Sequence, residues 1–189
     1  MSANQNRTAI ITGASRGIGV ALAKRLAADG FNVVINYASS AAPAEELADS
    51  LKSQGHKAIA IKADIARPDA VKALFDKTIA EFGGVDVIVN NAGVMTTTPI
   101  ADMDDATYDA MMDINVRGTF NMLREGARHL RDHGRVINFS TTALHLKLPG
   151  YAVYNATKAA VEAMTGVFAK ELRGRQITVN AVAPGPVAT

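Results

Sequence analysis

The chain has 189 residues, which is enough for one domain with a sizeable core. Its 48% hydrophobic and 20% charged residues are typical of a folded globular domain and argue against disorder. A net charge of +2 gives no electrostatic reason to expect nucleic acid or a membrane surface as partner. The absence of cysteine excludes disulfides, thiolate catalysis and cysteine-ligated metals. The polar amino terminus and the lack of a long apolar run make the cytoplasm the expected location.

The first predicted elements enclose a glycine-rich turn. Residues 8–11 are short, apolar and β-branched, which predicts a buried strand, and residues 20–28 have the apolar spacing of a helix. In such a turn the first amides of the helix are unsatisfied and its dipole is positive, which favours a phosphate. Gly13 permits the tight turn, Gly17 a close approach of backbone to ligand, and Gly19 close packing of helix on strand. The alternative is an ordinary glycine turn, and the strand–turn–helix context favours nucleotide binding.

Strands and helices alternate along the rest of the chain. Further strands are predicted at residues 32–36, 57–62, 85–90, 135–140 and 177–182. Further helices are predicted at residues 43–54, 68–82, about 105–133 and 151–173. This alternation implies an α/β fold with a doubly wound parallel sheet, strand order 3-2-1-4-5-6, in a single domain covering residues 1–189. Ligand is expected at the carboxyl ends of strands 1 and 4.

A second loop of small and amide residues follows the fourth predicted strand. Asn90, Asn91, Ala92 and Gly93 stand at the carboxyl edge, next to the expected ligand crevice. Small residues there let the backbone approach a flat ring, and asparagine side chains can tie neighbouring loops together. The alternative is a plain loop without function.

Tyr154 and Lys158 lie four residues apart on a predicted helix, and therefore on one face of it. A free tyrosine has a pKa of about 10, too high for easy proton transfer at neutral pH. A neighbouring ammonium favours the phenolate and lowers that pKa, so the pair can act as a general acid or base. The alternative is an exposed aromatic ring beside a solvated lysine.

These three motifs together carry a resemblance. The pattern TGxxxGxG at residues 12–19, NNAG at 90–93 and YxxxK at 154–158 occur in the order and context of the short-chain dehydrogenase/reductase family. From residue 7 to its end the chain resembles that family, most of all its 3-oxoacyl reductases and polyhydroxynaphthalene reductases. The resemblance implies a Rossmann-like NADPH-dependent carbonyl reductase, reversible as an alcohol dehydrogenase. Its substrate would be a ketone or 3-oxoacyl-type molecule, and homo-oligomers would form through helices 105–133 and 151–173.

The resemblance also implies four catalytic residues. Tyr154 would be the acid/base, and Lys158 would hold the nicotinamide ribose and lower the pKa of Tyr154. Asn115 would help to hold a water in a proton relay. The active-site hydroxyl would come from Thr141, with Ser140 and Thr142 as close rivals. Family members usually continue through a substrate-binding loop, a helix and a seventh strand, so the working enzyme is expected to extend beyond residue 189.

NADPH is the expected cofactor, because the end of strand 2 carries no carboxylate to repel a 2′-phosphate. Arg16 can form charge-assisted hydrogen bonds to that phosphate. The four histidines share no metal-ligand spacing, so no metal site is expected. Cofactor contacts are expected at Gly13, Ser15, Arg16, Gly17, Ile18, Gly19, Asn36, Tyr37, Ala38, Ser39, Ser40, Asp64, Ile65, Asn91, Ala92, Gly93, Ser140, Tyr154, Lys158, Pro184, Gly185, Val187 and Thr189.

Overall fold

A six-stranded parallel sheet forms the centre of the computed structural model, which describes residues 6–187. The strands are β1 (Thr8–Ile11), β2 (Asn32–Tyr37), β3 (Ala58–Lys62), β4 (Val85–Asn90), β5 (Leu130–Phe139) and β6 (Thr178–Val182). Their order is β3-β2-β1-β4-β5-β6 and every neighbouring pair is parallel, which confirms the predicted doubly wound topology. The chain crosses over between β1 and β4, so a crevice opens at the carboxyl ends of these two strands.

Helices cover both faces of this sheet. They are α1 (Gly17–Ala28), α2 (Ala41–Ser53), α3 (Pro68–Phe82), α4 (Asp105–Met111), α5 (Gly118–His129), α6 (Ala143–Leu146) and α7 (Ala152–Glu171). Successive residues of a strand point to opposite faces, so Ile10 packs into the cluster under α3, α5 and α7. Its neighbour Ile11 packs into the second cluster, under α1 and α2. Across residues 6–187, no helix combines the length and the apolar character that crossing a membrane requires.

The predicted helix at 105–133 is wrong in two places. A π-helical turn, Met112–Arg117, separates α4 from α5, and α5 ends at His129. Leu130 then pairs with Val85, and pairing resumes only at Arg135 opposite Val87, so the strand begins with a bulge. Leu130 is 1% exposed, and its burial in the core holds the chain in an extended conformation where apolar spacing alone predicts more helix.

Thr12 and Asn91 join the carboxyl ends of β1 and β4. The Thr12 hydroxyl accepts hydrogen bonds from the backbone amides of Asn91 (3.1 Å) and Ala92 (3.0 Å). In return, the Asn91 side chain donates to the carbonyls of Thr12 (2.9 Å) and Gly13 (3.1 Å). The prediction that asparagine ties neighbouring loops together is therefore confirmed at Asn91. These bonds fix the glycine turn against the loop that carries Gly93.

Candidate active site

The glycine turn has the backbone conformation that its sequence predicts. Gly13 (φ 62°) and Gly17 (φ 55°) both occupy the left-handed region that side chains disfavour. A Cβ on Gly19 would lie 2.7 Å from Ala14 Cα and 2.9 Å from Asn91 Nδ2, so α1 packs closely on the loops below it. No side chain caps the amino terminus of α1, which leaves its first backbone amides free to bind an anion.

Arg16 lies within this turn as an exposed side chain. Among residues 6–187 its guanidinium has no ion-pair or hydrogen-bond partner, so the group is available to a ligand. The next loop along the sheet edge is formed by Ala38, Ser39 and Ser40, all three of which are exposed. The backbone of the turn is joined to β2 at this edge, because Ala14 N donates to Asn36 O at 3.0 Å.

The side chains of Asn36 and Tyr37, which the sequence assigns to the cofactor, point into the fold instead. Asn36 is 2% exposed, and its Nδ2 donates to Ala63 O at 2.9 Å. Tyr37 is 7% exposed, and its hydroxyl donates to Glu45 Oε1 at 3.5 Å. In β2, side chains alternate between the two faces of the sheet, and both of these side chains are packed against neighbours. Within residues 36–40, the side chains available to a ligand are therefore those after Tyr37.

Asp64 and Ile65 follow β3 at the same edge of the sheet. Asp64 is exposed and its Oδ1 accepts from Ala66 N at 3.0 Å. Ile65 is buried, and a Cβ on Gly118 would lie 2.6 Å from its Cδ1, so its side chain packs against α5. Only Asp64 of this pair presents a side chain to a ligand.

A cavity of about 440 Å³ opens above the carboxyl ends of β4, β5 and β6. It is the place where most of the predicted catalytic and nicotinamide-side residues meet. The predicted residues that line it are Ile18, Asn91, Gly93, Ser140, Thr141, Tyr154, Lys158, Pro184, Gly185 and Val187. The predicted residues outside its lining are Gly13, Ser15, Arg16, Gly17, Gly19, Asn36, Tyr37, Ala38, Ser39, Ser40, Asp64, Ile65, Ala92 and Asn115. Thr189 lies outside the described residues.

Tyr154 and Lys158 stand together at the floor of this cavity. Lys158 Nζ lies 5.8 Å from the centroid of the Tyr154 ring and donates to Phe139 O at 2.8 Å. Lys158 is only 5% exposed, and Phe139 O is the acceptor that compensates for its burial. The Thr141 hydroxyl lies near enough to the Tyr154 hydroxyl to lower its pKa, and it accepts from Ala143 N at 3.2 Å. The cavity therefore holds a phenol, a hydroxyl and an ammonium within a few ångströms of one another.

Burial shifts the pKa of both titratable groups away from charge. It lowers the pKa of Lys158 from 10.5 to about 8. It also raises the pKa of Tyr154 above its usual value, and the bond from Thr141 only partly opposes this rise. The nearby Tyr151, with its ring 6.4 Å away, adds to the increase. The net shift of the Tyr154 pKa is therefore upward, opposite to the lowering that the sequence predicts, because desolvation dominates.

Three neighbouring hydroxyls were candidates for the active-site role, and the structure gives each a different partner. Thr141 faces Tyr154. The Ser140 hydroxyl donates to Glu162 Oε1 at 2.5 Å, and the Thr142 hydroxyl donates to Pro184 O at 3.3 Å. Because Thr141 is the one next to the phenol, it is the best placed to share a substrate oxygen with Tyr154.

Asn115 lies behind the cavity, in the π-helical turn, and is 1% exposed. Its side chain binds Val94 twice, accepting from Val94 N and donating to Val94 O, both at 2.8 Å. Its Nδ2 also donates to Thr157 Oγ1 at 3.0 Å. A Cβ on Gly93 would lie 3.3 Å from Asn115 Oδ1 and 3.4 Å from Lys158 Nζ. Asn115 therefore fastens the loop after β4 to α7, directly beside Lys158.

The segment after β6 closes the cavity on its far side. Pro184 O accepts from the backbone amide of Thr142 at 3.1 Å as well as from its hydroxyl. Gly185 and Val187 follow and line the cavity, and their contact with the nicotinamide end of the cofactor stays a prediction.

Sequence reasoning missed the apolar wall of the cavity. Its aliphatic and aromatic members come from the loops after β4 and β6, from the end of α6 and the loop after it, and from the residue before α7. They are Val94, Met95, Leu146, Leu148, Tyr151 and Pro186. Their sequence signal is large apolar residues near the ends of elements, and of these Met95 (55%) and Leu146 (60%) are more than half exposed. Exposed apolar side chains around a concave site indicate a ligand surface.

Within residues 6–187, no group of three or more His, Asp and Glu side chains is placed to hold a metal ion.

Comparisons with known proteins agree with this geometry. The short chain dehydrogenase family matches residues 7–189. The chain is 41% identical to a versicolorin reductase of Emericella nidulans over 97% of its own length and 70% of the relative's. It is 41% identical to a 3-oxoacyl-[acyl-carrier-protein] reductase of Staphylococcus epidermidis, covering 95% of this chain and 75% of that one. A short-chain dehydrogenase of Burkholderia cenocepacia in complex with NADP superposes with a TM-score of 0.91 at 42% identity, covering 96% and 74% of the two chains.

The protein belongs to the short-chain dehydrogenase/reductase family of oxidoreductases, as its three sequence motifs predict.

Lys158 should make the folded protein less stable at neutral pH. Its folded pKa of about 8, against 10.5 unfolded, corresponds to a cost of about 3 kcal/mol that is complete below pH 8. The cost disappears as the pH rises from about 8 to 10.5, because the folded state then holds the lysine neutral. We expect Lys158→Met to raise the free energy of unfolding by about 1–2 kcal/mol at pH 7, after loss of the bond to Phe139 O.

Thermal melts at pH 7 and pH 10 check this prediction. The gain in Tm for Lys158→Met should be several degrees at pH 7 and should shrink at pH 10. Lys77→Met, an exposed lysine on α3, is the matched control and should show no pH-dependent gain. A Lys158→Met protein that is less stable than wild type at both pH values would contradict the argument.

Proposed function

We propose that the protein is an NADPH-dependent carbonyl reductase that also runs in reverse as an alcohol dehydrogenase. The observation that carries the proposal is the half-buried Tyr154 phenol, in contact with the Thr141 hydroxyl and one helical turn from the buried Lys158. When bound, the reduced nicotinamide supplies a hydride for the carbonyl carbon of the substrate. The side chains around the cavity supply the proton and hold the oxygen that receives it.

Each catalytic side chain has a role that its surroundings support. The raised pKa of Tyr154 keeps its phenol protonated at neutral pH, so it is ready to give a proton to the carbonyl oxygen. Thr141 shares that oxygen as a hydrogen-bond donor. Lys158, still largely protonated at pH 7, stabilises the phenolate that remains and replenishes its proton. By family resemblance, Asn115 holds the water that completes this relay.

The residues of the glycine turn fit the pyrophosphate and adenosine ends of NADPH. The uncapped amino terminus of α1 offers backbone amides to phosphate oxygens. Arg16 has no partner within residues 6–187, and Ala38–Ser40 present hydroxyls but no carboxylate where a 2′-phosphate would lie. The NADP complex of the Burkholderia cenocepacia relative supports the same cofactor here.

The cavity favours an uncharged, largely apolar carbonyl compound. Among the described residues that line it, Lys158 is the sole side chain with a full charge, and its ammonium is turned toward Phe139 O. A carboxylate or phosphate on the substrate would therefore be desolvated against Met95, Leu146 and Leu148 without a partner. The reductase relatives, one named for versicolorin and one for 3-oxoacyl groups, support a ketone or 3-oxoacyl-type substrate.

Replacing the proton donor tests the proposed chemistry. Tyr154→Phe keeps the shape of the ring and removes the transferable proton, so kcat should fall by about 10²–10⁴ while NADPH affinity stays nearly unchanged. Thr141→Val removes the second donor at constant volume and should lower kcat by about 10²–10³, whereas Thr141→Ser should retain most of it. The measurement is NADPH oxidation with a panel of neutral ketones. Undiminished turnover in Tyr154→Phe on any accepted ketone would refute the role of Tyr154.

Cofactor preference should be set by the exposed edge of the glycine turn. Arg16→Ala removes a charge-assisted bond to the 2′-phosphate, worth about 1.5–3 kcal/mol, and should raise the KM for NADPH roughly ten- to a hundredfold. NADH has no such phosphate, so its KM should change little. Ala38→Asp places a carboxylate at the first exposed position after β2 and should shift preference toward NADH.

Asn36→Asp serves as the contrasting variant. Its side chain is buried against backbone carbonyls, so a carboxylate there should lower stability rather than change cofactor preference. If Arg16→Ala weakens NADPH and NADH equally, the specificity argument is wrong.

We further propose that the protein forms homo-oligomers through α5 and α7. A groove of about 600 Å³ runs between these helices, with Phe120 (47% exposed) and Val167 (58% exposed) on its surface. Arg124, Arg128 and Glu171 also line the groove, so both signs of charge border an apolar centre. A surface of this kind is self-complementary about a twofold axis, because each arginine of one copy can meet Glu171 of the other.

A charge placed in the groove tests the oligomer. Val167→Glu should reduce the sedimentation coefficient to that of a monomer, because an unpaired carboxylate would be buried at the centre of the interface. Ile100→Glu, an equally polar change at a side chain that is 74% exposed and away from the groove, should leave the assembly intact. A wild-type protein that sediments as a monomer at all concentrations would overturn this proposal.

A further inference from the structure

Three side chains on one face of α7 contact three consecutive residues at the end of β5. Tyr154, Lys158 and Glu162 recur every four residues, so they lie one above another along the helix. Facing them is segment 139–141, which runs from the last residue of β5 into the cavity. Lys158 donates to Phe139 O, Tyr154 faces Thr141, and Glu162 accepts from the Ser140 hydroxyl. Two of these contacts belong to the proposed catalytic groups, and the third has no part in the chemistry described above.

The third contact is a short hydrogen bond. The Ser140 hydroxyl donates to Glu162 Oε1 at 2.5 Å, whereas Lys158 Nζ donates to Phe139 O at 2.8 Å. Ser140 is 4% exposed, so this hydrogen bond to a carboxylate is largely shielded from water. Charge-assisted bonds of this length are roughly twice as strong as neutral ones. Glu162 therefore holds Ser140, which lies between Phe139, the acceptor of Lys158, and Thr141, the neighbour of Tyr154.

The position of this segment depends on such side-chain contacts. Beyond Phe139 two backbone bonds hold it, from Ser140 N to Val182 O at 2.8 Å and from Thr142 N to Pro184 O at 3.1 Å. The strand that supplies the first acceptor, β6, is itself exposed at four of its five residues. Thr141 lies between these two bonds, so the placement of its hydroxyl depends on how firmly its neighbours, Ser140 among them, are held. A shift of about 1 Å in such a group is enough to reduce catalysis a hundredfold.

We propose that Glu162 is a positioning residue of the active site, acting through Ser140 to hold Thr141 against Tyr154 and Phe139 O against Lys158. The expected change in kcat rests on the proposed reductase function. The expected placement of segment 139–141 rests on the contacts alone. Glu162 touches neither substrate nor cofactor in this scheme. Its carboxylate is an acceptor, so an amide in the same place keeps the contact while an alanine removes it.

Kinetics give the first arm of the test. Glu162→Ala and Ser140→Ala should each lower kcat about tenfold with the KM for NADPH within about twofold of wild type, since neither residue belongs to the glycine turn. The double variant should be no slower than either single one, because both remove the same contact. Glu162→Gln should restore kcat to within about twofold of wild type. Glu81→Ala, an exposed carboxylate on α3, is the control and should leave kcat unchanged.

The pKa of Tyr154 gives a second arm that needs no turnover. It is measured by NMR titration of protein labelled at the tyrosine Cζ, with Tyr154→Phe identifying the signal. Lys158 and Tyr151 are the titratable groups that face this phenol, and both stay in place. Loss of the Thr141 bond, which lowers the pKa of Tyr154, should raise that pKa in Glu162→Ala and Ser140→Ala but not in Glu162→Gln. A direct charge effect of Glu162 would have the opposite sign, because removing a negative charge lowers the pKa of a phenol.

The outcomes separate the two proposals. A wild-type protein that reduces no ketone refutes the proposed function, and the titration then still decides the role of Glu162. Wild-type activity together with an unchanged kcat and an unchanged Tyr154 pKa in Glu162→Ala overturns the positioning role alone. A loss in Glu162→Gln as large as in Glu162→Ala also overturns it, because the contact would then not be what matters.

Discussion

The hydrogen bonds of Thr12 are the constraint on which the geometry of the site depends. Thr12 is fully buried, and its hydroxyl accepts from the amides of Asn91 and Ala92, of which Asn91 N also donates to Val89 O at 3.0 Å. A buried amide without a partner costs about 1–3 kcal/mol, so this side chain reduces such a loss at Ala92. It thereby fixes the glycine turn relative to Gly93, which stands beside Lys158 and Asn115. The proposed cofactor turn and the proposed proton-transfer groups are held together by a junction that contains none of the proposed catalytic residues.

The remaining connection runs from this junction to α7. Asn115 accepts from and donates to Val94 and donates to Thr157, so the loop after β4 and the helix of Tyr154 move as one body. The π-helical turn that carries Asn115 is what allows this, because an extra residue per turn re-aims a side chain that regular helix would leave elsewhere. Such turns are common at functional sites. The Asn115 side chain therefore holds the loop and the helix together, while Tyr154, Thr141 and Lys158 line the cavity.

Sequence predicts the parts of this molecule that follow from local rules. Strand order, crossover point, the left-handed Gly13 and Gly17, and the shared face of Tyr154 and Lys158 all follow from periodicity and turn chemistry. The remaining features depend on three-dimensional neighbours. The buried orientation of the Asn36 side chain follows from its hydrogen bond to Ala63 O, just after β3. The apolar wall of the cavity comes from segments that are distant in sequence. Spacing already favours Thr141 among the three hydroxyls, and the structure adds that Ser140 is bound to Glu162 and Thr142 to Pro184.

The pKa shifts of Tyr154 and Lys158 are the clearest case of a property that depends on burial and not on spacing in the sequence. The shift of Tyr154 also bears on the proposed reaction. Spacing alone suggests an ammonium that lowers the pKa of the phenol, but burial acts on both groups and favours the neutral form of each. A phenol with a raised pKa is a poor base and a ready acid at neutral pH. Alcohol oxidation needs the phenolate as base, whereas carbonyl reduction needs the phenol as donor. In the free protein Tyr154 therefore rests as the phenol, which is the form that the proposed carbonyl reduction would use.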